Sequence, residues 1–111
     1  MIEELIDRKN LLEIAEMEKE IFQNTAFSIK QLEEMKKIER YKFFIIKIEE
    51  KVAGYVILYD SVDVLEIMKI AVNKEHRRKG IGEKMIKYIF SLTQMPVMLE
   101  VRENNAGAIE W

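Results

Sequence analysis

Six consecutive residues, Arg77-Arg78-Lys79-Gly80-Ile81-Gly82, set three cations and two glycines just ahead of an apolar helical pattern. Glycine lets main chain approach a ligand closely, and the unpaired amides and positive dipole end of a starting helix favour an anion such as a diphosphate. A short basic run alone is usually a solvated loop; it is the glycines and the flanking elements that argue for an anion site. Glu100, within the apolar run Val97-Met98-Leu99-Glu100-Val101, is the other candidate. A carboxylate there can act as a general base, face outward, or form one half of a structural ion pair.

Other chemistries fit poorly. There is no cysteine, which removes disulfides, thiolate metal sites and a cysteine nucleophile, and His76 is the only histidine. A metal site would need carboxylates for nearly every ligand, so no metal is expected. Neither a Walker loop nor a dinucleotide G-x-G-x-x-G pattern occurs, and nothing places His76 beside Ser28, Ser61 or Ser91 as a nucleophile pair. The formal net charge of −2 gives no global field toward nucleic acid or an anionic membrane. The acidic start, Met1-Ile2-Glu3-Glu4, lacks a basic leader, and no run is long enough to span a bilayer, which makes a cytoplasmic protein the expectation. The seven methionines sit among apolar residues and read as core filling.

The elements that must position these residues follow from periodicity. With 111 residues, 49% hydrophobic and 34% charged, the chain fits one domain over 1–111. A short strand is predicted over 2–6. Leu11, Ile14, Ala15, Ile21 and Phe22 then recur at helical spacing. Ser28-Ile29-Lys30-Gln31 has the form of a capping box, opening a second helix to about Lys37. Tyr41–Ile48 and Val52–Tyr59 are aromatic and β-branched and read as a hairpin turning at Glu49-Glu50-Lys51, with Gly54 as a bulge or a point of close approach. A third strand over Val64–Val72, a polar loop, a helix carrying Ile81, Met85, Ile86, Ile89 and Phe90, and a strand over Val97–Val101 make a strand-helix-strand unit whose strands should be parallel. Asn104 or Asn105 can cap a last helix.

The segment 77–82 matches the R/Q-x-x-G-x-G/A signature of the GNAT acetyltransferases. Upstream, Ile70-Ala71-Val72 ends the preceding strand as in many members. Downstream, Leu99-Glu100-Val101-Arg102-Glu103-Asn104-Asn105-Ala106-Gly107-Ala108-Ile109 resembles the L-E-V-R-x-x-N-x-x-A-I segment of ribosomal-protein alanine N-acetyltransferases. The resemblance implies an α/β (α+β) fold with a mixed, mostly antiparallel sheet flanked by helices and a central parallel strand-helix-strand unit. It also implies acetyl-CoA as acetyl donor and a primary amine as acceptor, such as the N-terminus of a ribosomal protein. In relatives the main chain at Ile70, Ala71 and Val72 pairs with the pantetheine arm, and the amides of Arg77, Arg78, Lys79, Gly80, Ile81 and Gly82 cradle the diphosphate. Asn105 matches a residue that contacts the coenzyme arm, alongside its reading as a helix cap, and Glu100 matches the base that deprotonates the amine.

Those relatives place a tyrosine after the segment matching Ala108-Ile109, which in this register is residue 112, one beyond Trp111. The resemblance therefore implies a domain incomplete at its C-terminus, lacking the rest of the last helix and two final strands. An unneighboured edge at Val97–Val101 would then invite a homodimer. Two functions follow as expectations: an active N-acetyltransferase, or a truncated, catalytically weak module that binds CoA.

Overall fold

Asp7 takes the amide of Lys9 at 2.7 Å and starts helix α1, Arg8–Phe22, so the first helical pattern becomes a helix with an N-cap. The computed structural model describes residues 2–4 and 7–99. Strand β1, Ile2–Glu4, precedes α1. A 3₁₀ turn over Gln23–Thr25 links α1 to α2, Ile29–Lys36, which opens on the predicted capping box. Ser28 Oγ takes the Gln31 amide at 3.1 Å, and Gln31 Oε1 takes the Ser28 amide at 2.8 Å.

The sheet follows. Strands β2 (Tyr41–Ile48), β3 (Lys51–Asp60), β4 (Leu65–Val72) and β5 (Val97–Leu99) extend β1 in the order β1-β2-β3-β4-β5. All neighbours are antiparallel except β4 and β5, which are parallel, as the intervening helix α3, Ile81–Leu92, requires. Of the strand expected over Val97–Val101, the last two residues lie outside the described residues; among the described residues β5 is the last strand of the order and so forms an edge of the sheet.

Helices cover both faces. Leu11, Ile14, Phe22 and Leu32 of α1, α2 and their junction pack on Phe43, Ile45, Tyr55, Ile57 and Ala71. On the other face Ile81, Met85 and Ile89 of α3 pack on Phe44, Val56, Leu58, Ile67, Ile70 and Val72. Burial on both faces explains why the central strands read as continuous apolar runs rather than alternating ones.

Two register shifts adjust this sheet. Between Ile46 and Lys47 the partner on β3 jumps from Gly54 to Val52, so Ala53 is an extra residue. The Val52 amide there is taken by Glu13 Oε2 of α1 at 3.0 Å. Gly54 is a point of close approach, as expected. A Cβ would lie 3.1 Å from the Ala71 carbonyl oxygen, 3.1 Å from Met85 Cε and 3.2 Å from Ile81 Cγ2. A bare backbone at Gly54 thus lets the first turns of α3 settle against the end of β4.

The β2–β3 turn has Glu49 at φ 53° and Glu50 at φ 67°. Two positive φ values in a two-residue loop suit Asn-Gly, and L-residues with longer side chains are strained there. Replacing the pair by Asn-Gly is expected to raise the unfolding free energy by about 1 kcal/mol, read as a higher urea midpoint with an unchanged m-value.

Candidate active site

The path from β4 into α3 forms the site. The Asn73 amide donates to the Ala53 carbonyl at 2.7 Å, and Asn73 Oδ1 takes the Glu75 amide at 3.0 Å, starting a 3₁₀ turn over Lys74–His76. Arg77 Nε donates back to the Val72 carbonyl at 3.2 Å and ties the loop to the strand it leaves. Arg78 at φ 65° and Gly80 at φ 75° then turn the main chain sharply into α3.

Gly80 is the N-cap of α3 and has no side chain with which to cap it. The first α3 hydrogen bond runs from the Lys84 amide to the Gly80 carbonyl at 3.0 Å. The amides of Ile81, Gly82 and Glu83 therefore lack helical acceptors and point out of the N-terminus with the positive end of the dipole. Ile81 and Gly82 are buried, which fixes this turn against the sheet, while Arg78 and Lys79 are exposed beside it. Lys79 Nζ lies 3.3 Å from His76 Nδ1. A groove of about 600 Å³ continues from the turn along α3, lined by Arg78, Gly80, Glu83, Ile86, Lys87 and Phe90. These features fit a diphosphate: free amides, a positive dipole, two solvated cations and room.

The three β4 residues expected along a ligand arm are buried. Ile70 and Val72 face α3, and Ala71 faces α1. Only their main chain is left to meet a ligand. One edge of that main chain is used by β3, in the pairs Gly54–Val72, Tyr55–Ala71 and Val56–Ile70. Among the described residues, pairing with β5 ends at Ile67–Leu99. Glu100 and Asn105 lie outside the described residues.

Arg77, expected to lend its main-chain amide to the diphosphate, has its side chain engaged by the Val72 carbonyl. The larger omission is a buried polar cluster on the α1 face. Glu18 is 0% and Lys69 8% exposed, and Lys69 Nζ donates to Glu18 Oε1 at 2.8 Å. Tyr55 Oη donates to Glu18 Oε2. Burial first, and then the neighbouring Glu18 carboxylate, push the Tyr55 phenol well above its ordinary range, so it stays a neutral donor. Glu18 falls at helical spacing from Ile14 and Phe22, and Lys69 lies inside the apolar run Leu65–Val72. A charge at each of two core positions is the sequence signal that could have found the pair.

A family model described as the acetyltransferase (GNAT) family matches residues 9–111. The chain belongs to that family. It is therefore an acetyltransferase domain, of a family that takes acetyl-CoA as donor. Its fold is similar to that of the ribosomal-protein-S18-alanine N-acetyltransferase of Escherichia coli, with 25% identity and a TM-score of 0.79 over 98% of this chain and 71% of that one. The ribosomal-protein-alanine N-acetyltransferase of Brucella melitensis is 18% identical with a TM-score of 0.77, covering 96% of this chain and 85% of that one. An aminoglycoside acetyltransferase from an uncultured soil metagenomic sample, in complex with sisomicin, is 19% identical with a TM-score of 0.75, covering 95% and 79%. No curated protein sequence matches. Among the described residues there is no helix long and apolar enough to cross a membrane.

Proposed function

We propose that this domain, residues 1–111, transfers the acetyl group of acetyl-CoA to a primary amine, a protein N-terminal amine, by direct attack in a ternary complex in the cytoplasm. The observation that carries the proposal is the uncapped start of α3, with three free amides behind a left-handed glycine and two exposed cations beside it. The amides from Arg77 to Gly82 hold the diphosphate, and the main chain at Ile70, Ala71 and Val72 lies along the pantetheine arm, which Asn105 also meets. Bound acetyl-CoA supplies an activated thioester. Glu100 takes a proton from the ammonium form of the acceptor, because a protonated amine has no lone pair with which to attack; the freed nitrogen then bonds to the acetyl carbon, the carbon–sulfur bond breaks, and CoA leaves as a thiolate that is protonated to the free thiol. A protein N-terminus as acceptor is supported by the 25% identity to the Escherichia coli enzyme and by the segment Leu99–Ile109.

Calorimetric titration with acetyl-CoA, followed by thiol release in the presence of a peptide with an N-terminal alanine, tests the proposal. Binding and peptide-dependent CoA release are expected; no heat and no thermal shift on folded protein would rule it out. Reversing the exposed charges in Arg78→Glu/Lys79→Glu is expected to raise the Kd for acetyl-CoA about tenfold at low salt, with a smaller effect at high salt, since exposed charges are screened. Equal loss at both salt levels would show that the cations act by something other than their field.

A further inference from the structure

The buried pair Glu18–Lys69 joins the two halves of the proposed site, and a bulge puts it there. Leu65 and Ile67 of β4 face α3. Regular alternation would send residues 69 and 71 to the same side. Instead Ile70 and Val72 face α3, because pairing with β3 jumps from Ile57–Lys69 to Leu58–Ile67 and leaves Met68 as an extra residue. The same residue that sets the face of Ile70 and Val72 thus turns Lys69 toward α1.

What Lys69 meets there is the connection from α1 to α2, residues 22–27. Its Nζ donates to the Thr25 carbonyl at 3.1 Å and lies 3.7 Å from the centre of the Phe22 ring and 4.5 Å from that of Phe27. Glu18 Oε1 takes the Phe27 amide at 2.8 Å. Glu18 and Lys69 thus supply side-chain hydrogen bonds that tie this connection to the body of α1 and to the sheet. An apolar pair of similar volume would hold the helix to the sheet at least as well. The ions add direction: the connection has one seating relative to β4, fixed by bonds rather than by shape.

If the diphosphate sits at the start of α3 and the arm runs back along Val72, Ala71 and Ile70, the thioester end arrives beside Lys69. From Ile21 to Ser28 the connection carries no charged residue, in a chain that is 34% charged. Gln23, Asn24 and Thr25 are exposed on it, amides and a hydroxyl suited to a peptide main chain.

We propose that Lys69 and Glu18 are positioning residues that couple the seating of the donor on β4 to residues 22–27, which form the acceptor-side wall. The inference rests on the donor site proposed above. Its test compares wild type with Glu18→Met/Tyr55→Phe/Lys69→Met, which removes the cluster without leaving a buried charge. Acetyl-CoA is expected to slow amide exchange across residues 22–27 in wild type and to leave it unchanged in the variant. For a hexapeptide with an N-terminal alanine, KM should rise about tenfold with kcat nearly unchanged, and the Kd for acetyl-CoA should stay within about twofold. Should the triple variant not fold, Glu18→Gln, which keeps an acceptor for the Phe27 amide, should show a weakened exchange response to acetyl-CoA. A variant that only melts lower, with the wild-type KM and the wild-type exchange response, would overturn the coupling. A wild type that binds acetyl-CoA without slowing exchange at 22–27 would overturn it too, while leaving the donor site intact. A wild type that does not bind acetyl-CoA would overturn both.

Discussion

Lys69→Met alone is expected to lower the free energy of unfolding by about 3 kcal/mol, read as a drop in the urea midpoint with little change in m. Removing one member of a buried ion pair leaves the other charge without its counterion, and the usual cost is about 3–5 kcal/mol. The lower end applies because Glu18 keeps two donors, the Phe27 amide and the Tyr55 hydroxyl. The methionine fills most of the lysine's length but cannot donate to the Thr25 carbonyl, and it gives up the cation's place over two aromatic rings. Against a total stability of about 5–15 kcal/mol for a domain of this size, the loss is large enough to detect by thermal melting as well. Replacing Glu18 and Tyr55 in the same molecule should recover most of it, since nothing charged then stays buried. A single variant with wild-type stability would mean that the pair contributes no more than an exposed one.

Much of this fold was legible because its signals are local. The Ser28–Gln31 box, the strands Tyr41–Ile48 and Lys51–Asp60, and the helical spacing of Ile81, Met85 and Ile89 each depend on residues a few positions apart. Gly80 was legible for the same reason, as a turn that glycine enters easily, directly before an apolar helix whose first turn holds Gly82. The bulge in β4 was not, and the one in β3 falls on Ala53, next to the Gly54 that was read as a bulge or a point of close approach. Ala53 and Met68 look like their neighbours in apolar runs, and the shift in face they cause appears only once α1 and α3 take opposite sides of the sheet. Lys69 and Glu18 each show only as a single charge within an apolar pattern, and 51 positions separate them, so nothing local pairs them. The bond from Arg77 to Val72 needs the turn at Lys74–His76, which has no strong sequence mark.

Glu100→Gln is expected to lower kcat/KM for the alanine peptide by about a hundredfold to a thousandfold near neutral pH, equivalent to roughly 3–4 kcal/mol of transition-state stabilisation. The substitution keeps the size of the side chain and removes its ability to take a proton. An α-amino group has a pKa of about 7.7–8.0, so near neutrality most acceptor molecules carry the proton that blocks attack. If Glu100 removes that proton, the deficit of the variant should shrink as pH rises past about 8, where the free amine is supplied by solvent. The Kd for acetyl-CoA should not move, because in the proposed donor site the main chain at the start of α3 and along β4, and not Glu100, holds the cofactor. A pH-independent deficit would instead assign Glu100 to orienting the acceptor. No deficit at all would return it to the outward-facing or ion-paired role that the sequence equally allows, and the base would then have to be sought among the residues facing the connection 22–27.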